Sequence, residues 1–323
     1  MSRPPKGRAR FPCAAHRPPG GRPLTGGAGG RAWGTIRRVS TTAPPRFADP
    51  HLSRFDPLQR LLYFDDFDDG HHGWMELIGN YEGSLDTMLP DYRDHRPPML
   101  SSAVMWDTGS HGSVDGTYSL KLATRPRAGH QAVTVKRFTW RRPGRVQLEA
   151  YFACKPEPST LSLGNADVRG FGLLLDLQNG RNRFMPHVRY LNALDGQPRG
   201  VWQYRTTTPP RVQTGPSGQI SSVYHLSPEG WIDLPGGQQA LCYNELPTKL
   251  NWHYLRILAD LERGTYLQFQ CNDRTYDLSA LGLITAPPLD TLPCMLNAAF
   301  FVEAGSDRRA FLYLDSVLVS TDV

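Results

Sequence analysis

The stretch YSLKLAT at residues 118–124 alternates apolar and polar side chains with a period of two. It places Tyr118, Leu120 and Leu122 on one face and Ser119, Lys121 and Ala123 on the other, the pattern of a half-buried strand. Working outward, residues 133–140, 146–154, 171–177, 188–191, 201–205 and 254–261 are further candidate strands. Turn-forming segments separate them, among them Arg142-Pro-Gly144, Asn179-Gly180 and Asp195-Gly196. Few segments carry a helical stripe. This spacing suits antiparallel sheets. TYLQFQCNDRTYDL at 265–278 reads as a hairpin turning at Asn272-Asp273-Arg274, and FLYLDSVLV at 311–319 reads as a closing strand interrupted by a turn or bulge near Asp315 and Ser316. The Pro-rich stretch 206–216 and the Gly-rich stretch around Pro235-Gly-Gly237 read as long connections, and rim loops around a ligand groove would account for them. The expected fold class is all-β, a jelly-roll-like antiparallel β-sandwich with long polar loops.

The net charge of +6 on 323 residues divides unevenly. Residues 1–50 hold ten Lys/Arg against one acid, a balance of +9, and the remainder holds 26 against 29, a balance of −3. Eight Gly and nine Pro in the same first 50 positions suit a disordered basic arm, an unconventional targeting segment or a non-native extension. Residues 51–323 are then one sandwich domain. With the basicity confined to the arm, a specific nucleic-acid partner is disfavoured. No run approaches the roughly 18 apolar residues of a membrane span, and no conventional signal peptide precedes the domain. The default placement is therefore soluble and cytoplasmic, with export by another route left open. Five cysteines without CxxC spacing suit free thiols better than a disulfide framework or a zinc site.

The ends of the β-region resemble a known superfamily. FDDFDDG at 64–70 followed by Trp74, together with FLYLDSVLV at 311–319, is similar to the paired terminal strands of the concanavalin A-like lectin/glucanase jelly roll, over about residues 60–323. That resemblance implies a protein that binds or cleaves glycans on a sheet face, in many cases with a structural calcium ion. A fold alone does not set activity.

No GxGxxG at a βα junction, Walker motif, HExxH or GxSxG is present, and no organic cofactor is expected. The ExDxE signature of one group of jelly-roll endoglycanases is also missing. The nearest substitutes are Gln147 and Glu149 on one strand and Asp176 on another. Carboxylates about 5 Å apart suit a retaining glycosidase, and about 6.5–9.5 Å an inverting one. Glycoside hydrolysis is thus the leading reading, with Glu149 and Asp176 as the acid pair. A polysaccharide lyase is an alternative: His187 and Arg189 share one face of RFMPHVRYL (183–191), where a base and a cation could act on a uronate, with Gln147 supporting the enolate. A non-catalytic carbohydrate-binding protein is another, and a structural or assembly protein, including a homo-oligomer, a further one. Trp202 and Tyr204 share a face opposite Gln203 and Arg205, and either stack on sugar or form core. Asp94, His95, Trp106 and His111, in a polar stretch between the first strands, suit a ligand-facing rim. Calcium, if bound, would draw on Asp65, Asp68 or Asp315, although no EF-hand spacing is present.

Overall fold

The computed structural model describes residues 50–76, 98–102, 112–142, 144–157, 164–180, 182–208, 211–214, 220–223, 229–241 and 250–323. They belong to one unit, Phe47–Val323. The proposed arm, apart from Pro50, lies outside the described residues.

Among the described residues nineteen strands, numbered in chain order, form two large sheets and a ribbon. Sheet I contains β1 (Arg60–Asp65), β3 (Met99–Ser101), β4 (Ser119–Ala123), β6 (Arg145–Pro156), β14 (His253–Asp260), β15 (Thr265–Cys271), β16 (Arg274–Asp277) and β19 (Ala310–Thr321). Sheet II contains β2 (Met75–Glu76), β5 (Gln131–Thr139), β7 (Val168–Asn179), β8 (Asn182–Met185), β9 (His187–Leu194), β10 (Gln197–Tyr204), β13 (Ile232–Gln238), β17 (Ile284–Ala286) and β18 (Met295–Ala304). The strand order is β16-β15-β14-β6-β19-β4-β3 in sheet I and β13-β10-β9-β7-β18-β5-β2 in sheet II. β1 also pairs with β19, and β8 joins β7 to β17. The ribbon pairs β11 (Arg211–Thr214) with β12 (Ile220–Val223). Every pairing is antiparallel, and no helix of the described chain is long and apolar enough to cross a membrane.

Period-two patterning explains the sandwich. Leu148, Ala150 and Phe152 of β6, with Leu255 and Ile257 of β14, meet Phe171, Leu173 and Leu175 of β7 and Phe300 and Val302 of β18 in one core. Each fully buried Leu, Ile, Val or Phe contributes about 1.5–3 kcal/mol. The closing strand needs a bulge: Leu312 and Leu314 point inward, and the next inward pair, Val317 and Val319, comes three residues later rather than two. Ser316 takes φ 51°, and the register against β6 shifts between Asp315 and Leu318, which keeps both halves facing the core. β4 pairs with the first half of β19 and β1 with the second, so the two end segments singled out from sequence do lie together.

The Asp195-Gly196 turn closes the β9–β10 hairpin with both residues at positive φ, 50° and 75°. The two stretches read as connections fold differently. β13 carries Pro235-Gly-Gly237 in an irregular bulge on an edge strand, where a missing N–H is tolerated and its register against β10 shifts, and part of 206–216 forms the ribbon. β18, central in sheet II and buried on both faces, shows no alternation in MLNAAFFVEA and escapes a period-two reading.

Candidate functional site

Glu149 and Asp176 cannot form an acid pair, because they lie on the outer faces of different sheets. Glu149 alternates with the core residues Leu148 and Ala150 of sheet I, and Asp176 alternates with Leu175 and Leu177 of sheet II. Each carboxylate also has structural partners. Glu149 is fully buried and accepts hydrogen bonds from Tyr254 Oη (2.6 Å), Gln147 Nε2 (2.7 Å) and the Asp56 N–H (3.0 Å). Residues 50–58 lie across this face, with Gln147 also donating to the Asp56 carbonyl and Tyr151 to that of Arg54. Asp176 makes a two-point ion pair with Arg183, Nε to Oδ1 at 2.8 Å and Nη2 to Oδ2 at 2.7 Å. Gln147, on sheet I, is likewise remote from the lyase-like residues His187 and Arg189 on sheet II.

The carboxylates considered for calcium each accept hydrogen bonds from the protein. Asp65 is buried and accepts from the Phe67 N–H (2.9 Å), His72 Nδ1 (2.8 Å), Trp74 Nε1 (3.1 Å) and the Tyr63 hydroxyl. Asp68 accepts the N–H groups of Thr117 and Tyr118, and Asp315 those of Val114 and Asp115. At Asp65 the donors take both oxygens, whereas at Asp68 and Asp315 the two N–H groups share one oxygen, Oδ1 and Oδ2 respectively. Burial also pushes the Asp315 carboxyl up to about 7, against the pull of its N–H donors. Among the described residues no three His, Cys, Asp or Glu side chains converge to hold a metal.

Trp202 and Tyr204 face inward. Trp202 is 1% exposed, packs on Phe269 at 4.6 Å between ring centroids and donates from Nε1 to Gln239 Oε1 at 2.9 Å. These rings are core, which leaves Gln203 and Arg205 on the outer face. Asp94, His95, Trp106 and His111 lie outside the described residues.

The outer face of sheet II gathers the polar groups that remain. His187 and Arg189 on β9 sit beside Gln203 on β10 and Arg205 immediately after it, with Gln203 directly opposite Arg189. Tyr190 points into the core, donating its hydroxyl to the Gln239 carbonyl at 2.7 Å. Arg189 Nε donates to Gln203 Oε1 at 2.7 Å, and Gln203 Nε2 donates to Asp233 Oδ1 at 2.6 Å. Above them lies Trp231, half-buried, its ring centroid 4.4 Å from the Arg189 guanidinium carbon and 3.9 Å from that of Arg205. His187 and Phe301 flank the same indole at 6.4 and 6.5 Å between ring centroids. Glu303 of β18, ion-paired with Arg169 at 3.0 Å, borders this cluster.

Desolvation lowers the Arg189 pKa to about 10, opposed by Glu303 and Asp233 and assisted by Arg169. It lowers Arg205 to about 9, reinforced by Arg189. Both stay cationic at neutral pH. Burial raises the Glu303 carboxyl, opposed by Arg169 and Arg189. From beneath, the Tyr266 hydroxyl accepts the His187 N–H and donates to the Arg205 carbonyl, both at 2.8 Å, tying the site ends of β9 and β10 together. The pairing of Gln203 and Arg205 on one face was legible in the alternation of VWQYR; Trp231 was legible as a ring for sugar or core, but its place over the two arginines was not, because it comes from a separate segment. A separate enclosed gap in the core is lined by apolar side chains such as Phe152, Leu173 and Trp202 and offers no chemistry.

Fold and site together define an all-β sandwich with an aromatic-capped cationic cluster on one outer sheet face. The chain belongs to the family described as a domain of unknown function (DUF6772), whose model matches residues 42–323. A search of curated protein sequences found no match. Similar solved structures include a cellulose induced protein, Cip1, at 13% identity and TM-score 0.38, covering 81% of this chain and 97% of that one. An endo-beta-1,4-glucuronan lyase from the fungus Trichoderma reesei aligns at 10% identity and TM-score 0.40, over 81% and 95% of the two chains. Lectin UEA-II complexed with galactose aligns at 10% identity and TM-score 0.35, over 65% and 90%. At these scores the likenesses carry no argument about activity.

Proposed function

We propose that the protein binds an acidic carbohydrate, a glycan bearing uronate carboxylates, on the outer face of sheet II. The observation that carries this reading is the placement of two guanidinium groups, Arg189 and Arg205, under one half-buried indole, Trp231. An indole can stack on the apolar face of a sugar ring while neighbouring guanidinium N–H groups hold its carboxylate by charge-assisted bonds. The Asp233–Gln203–Arg189 chain of hydrogen bonds fixes the guanidinium direction before ligand arrives, which reduces the ordering cost of binding. Hydrolysis is a poorer reading because Glu149 and Asp176, the acid pair considered, lie on different sheets. Elimination is the second reading, resting on His187 beside Arg189, and it would require the fully buried imidazole to be uncovered before it could act as base, with Tyr190 turned away.

The test is calorimetric titration of the full chain with uronate oligosaccharides and with their carboxyl-reduced, neutral counterparts. Expected is binding of the acidic form alone, weakened about tenfold or more in Arg189→Met and in Trp231→Ala, and declining with salt. Equal binding of the neutral form, or indifference to both substitutions, would overturn the proposal. Appearance of an ultraviolet-absorbing unsaturated sugar during the titration would move the assignment to the lyase reading.

A further inference from the structure

Residues 50–58 run as a strap over the outer face of sheet I, and side chains of that face hold the strap mainly by its backbone. Gln147 Nε2 donates to the Asp56 carbonyl at 2.7 Å while Glu149 Oε2 accepts the Asp56 N–H at 3.0 Å, so one residue is gripped through both of its backbone groups. Tyr151 Oη donates to the Arg54 carbonyl at 3.3 Å, and Ser320 Oγ accepts the Leu58 N–H at 3.0 Å. Two strap side chains are also engaged. The Phe55 ring meets Phe64 and Tyr151 edge-on, at 6.1 and 5.7 Å between ring centroids. The exposed Asp56 carboxylate meets Arg256 Nη1 at 3.0 Å.

The strap adds little apolar contact to the fold. Among residues 50–58 only Phe55 is buried, and it stands outside the hydrophobic cluster that joins the two sheets. Beneath the strap, Gln147, Glu149 and Ser320 are polar and buried at the middle of their strands. Permanently sealed interfaces are typically apolar, whereas exchangeable ones keep polar groups that a departing partner returns to water. Ordering an extended segment costs conformational entropy, which one buried ring and a few hydrogen bonds of modest net strength offset only narrowly. A segment held in this way opens at a free energy well below that of global unfolding.

We propose that the outer face of sheet I is a recognition site for an extended peptide in which an aromatic residue precedes an acidic one, and that Phe55-Asp56 of the chain's own strap fills it in cis. Gln147, Glu149, Tyr151 and Ser320 take the main chain of the peptide, the niche beside Phe64 and Tyr151 takes its ring, and Arg256 takes its carboxylate. A partner peptide of this chemistry competes with the strap, whose tether gives it an effective concentration of about millimolar, so the strap sets the threshold for occupancy. The site lies on the other sheet from the cationic cluster and does not depend on the glycan proposal.

The test uses the full chain and a fluorescein-labelled peptide of residues 50–59, PHLSRFDPLQ, followed by anisotropy. Phe55→Ala in the protein loosens the strap, and Arg54→Ala, which severs its 3.1 Å tie to Asp115, is a second loosened form. Expected is saturable binding to both loosened proteins, about tenfold or more weaker in the parent. Adding Gln147→Met to a loosened protein should weaken binding about tenfold, and adding Arg189→Met should leave it unchanged. Peptides carrying Phe55→Ala or Asp56→Asn should bind less tightly, and Arg256→Met should remove the preference for Asp over Asn. In the unaltered chain, the Asp56 and Leu58 amides should exchange hydrogen faster than those of Leu148 and Ala150 in β6. Strap amides exchanging as slowly as those of β6, no saturable binding to either loosened protein, or equal binding of the Phe55→Ala peptide would each overturn the assignment. Dimerisation of the parent that the peptide dissolves would give the site to the strap of a second copy and overturn the external partner.

Discussion

Removing one oxygen, in Tyr266→Phe, should weaken both the fold and the cationic cluster on the outer face of sheet II. Tyr266 is fully buried, and its ring is retained by phenylalanine, so the substitution opens no cavity larger than a hydroxyl. The hydroxyl meets three backbone groups of the facing sheet, accepting the His187 N–H at 2.8 Å and donating toward the carbonyls of Arg205 at 2.8 Å and His187 at 3.2 Å. They sit where β9 and β10 begin to part, since Val188 and Tyr204 are the last pair in register. A single further bond, from the Arg205 N–H to the His187 carbonyl at 3.3 Å, holds them there. A buried backbone group left without its partner costs about 1–3 kcal/mol, and the carbonyl can rearrange more readily than the N–H. The expected loss is therefore about 2–4 kcal/mol, with the denaturant slope unchanged because the surface exposed on unfolding is the same. Urea melts followed by far-ultraviolet dichroism and tryptophan fluorescence would measure it. Hydrogen exchange at the His187 and Arg205 amides should accelerate beyond the global change, and uronate affinity should fall as the Arg205 guanidinium loses its position. Tyr118→Phe, at an exposed ring, serves as the control and should stay within about 0.5 kcal/mol. A loss below about 0.5 kcal/mol in Tyr266→Phe, with exchange unchanged, would refute the hydroxyl's role as a tie between the strands.

Arg183→Met should cost about 3–5 kcal/mol by leaving the buried Asp176 carboxylate without its two-point partner, whereas the double change with Asp176→Leu should recover much of that loss in chemical denaturation. Gly172→Ala places a methyl 2.5 Å from the Val188 carbonyl and 2.6 Å from the Phe301 ring, so a loss of about 1–3 kcal/mol and an altered tryptophan emission are expected, and an unchanged melting temperature would contradict the packing. Asp315 has a folded pKa raised from 3.8 to about 7, so its contribution to stability is fully present below pH 3.8 and is lost as the pH rises toward 7. The melting temperature of Asp315→Asn should accordingly gain on that of the parent across that window, by at most about 4 kcal/mol in stability, and a constant difference from pH 4 to 8 would refute the shift. Cys154 and Cys271 are buried with their thiols pushed up by burial, and should react with iodoacetamide more slowly than the partly exposed Cys294 in the folded protein.

The alternation at 118–124, the Asp195-Gly196 turn and the odd spacing between Leu314 and Val317 were enough to establish strands, a hairpin and a bulge, because each is a local consequence of backbone geometry. β18 was not legible, since a strand covered on both faces loses its polar alternation, and β13 was hidden by a Pro-Gly-Gly that only an edge position tolerates. For the site, the sequence by itself determined which side chains share a face: Gln147 with Glu149, His187 with Arg189, Trp202 with Tyr204, and Gln203 with Arg205. Only the tertiary structure decided which face of each strand turns inward and which strands share a sheet. Burying the large rings of Trp202 and Tyr204 against Phe269 and Tyr266 outweighed any role at the surface, and that choice turned Gln203 and Arg205 outward. The assignment of β6 and β7 to different sheets separated Glu149 from Asp176, and the chain's return before β13 laid Trp231 over two arginines. A period of two sets pairs of faces locally, whereas the partner of each face is set by the total apolar area that two sheets remove from water together.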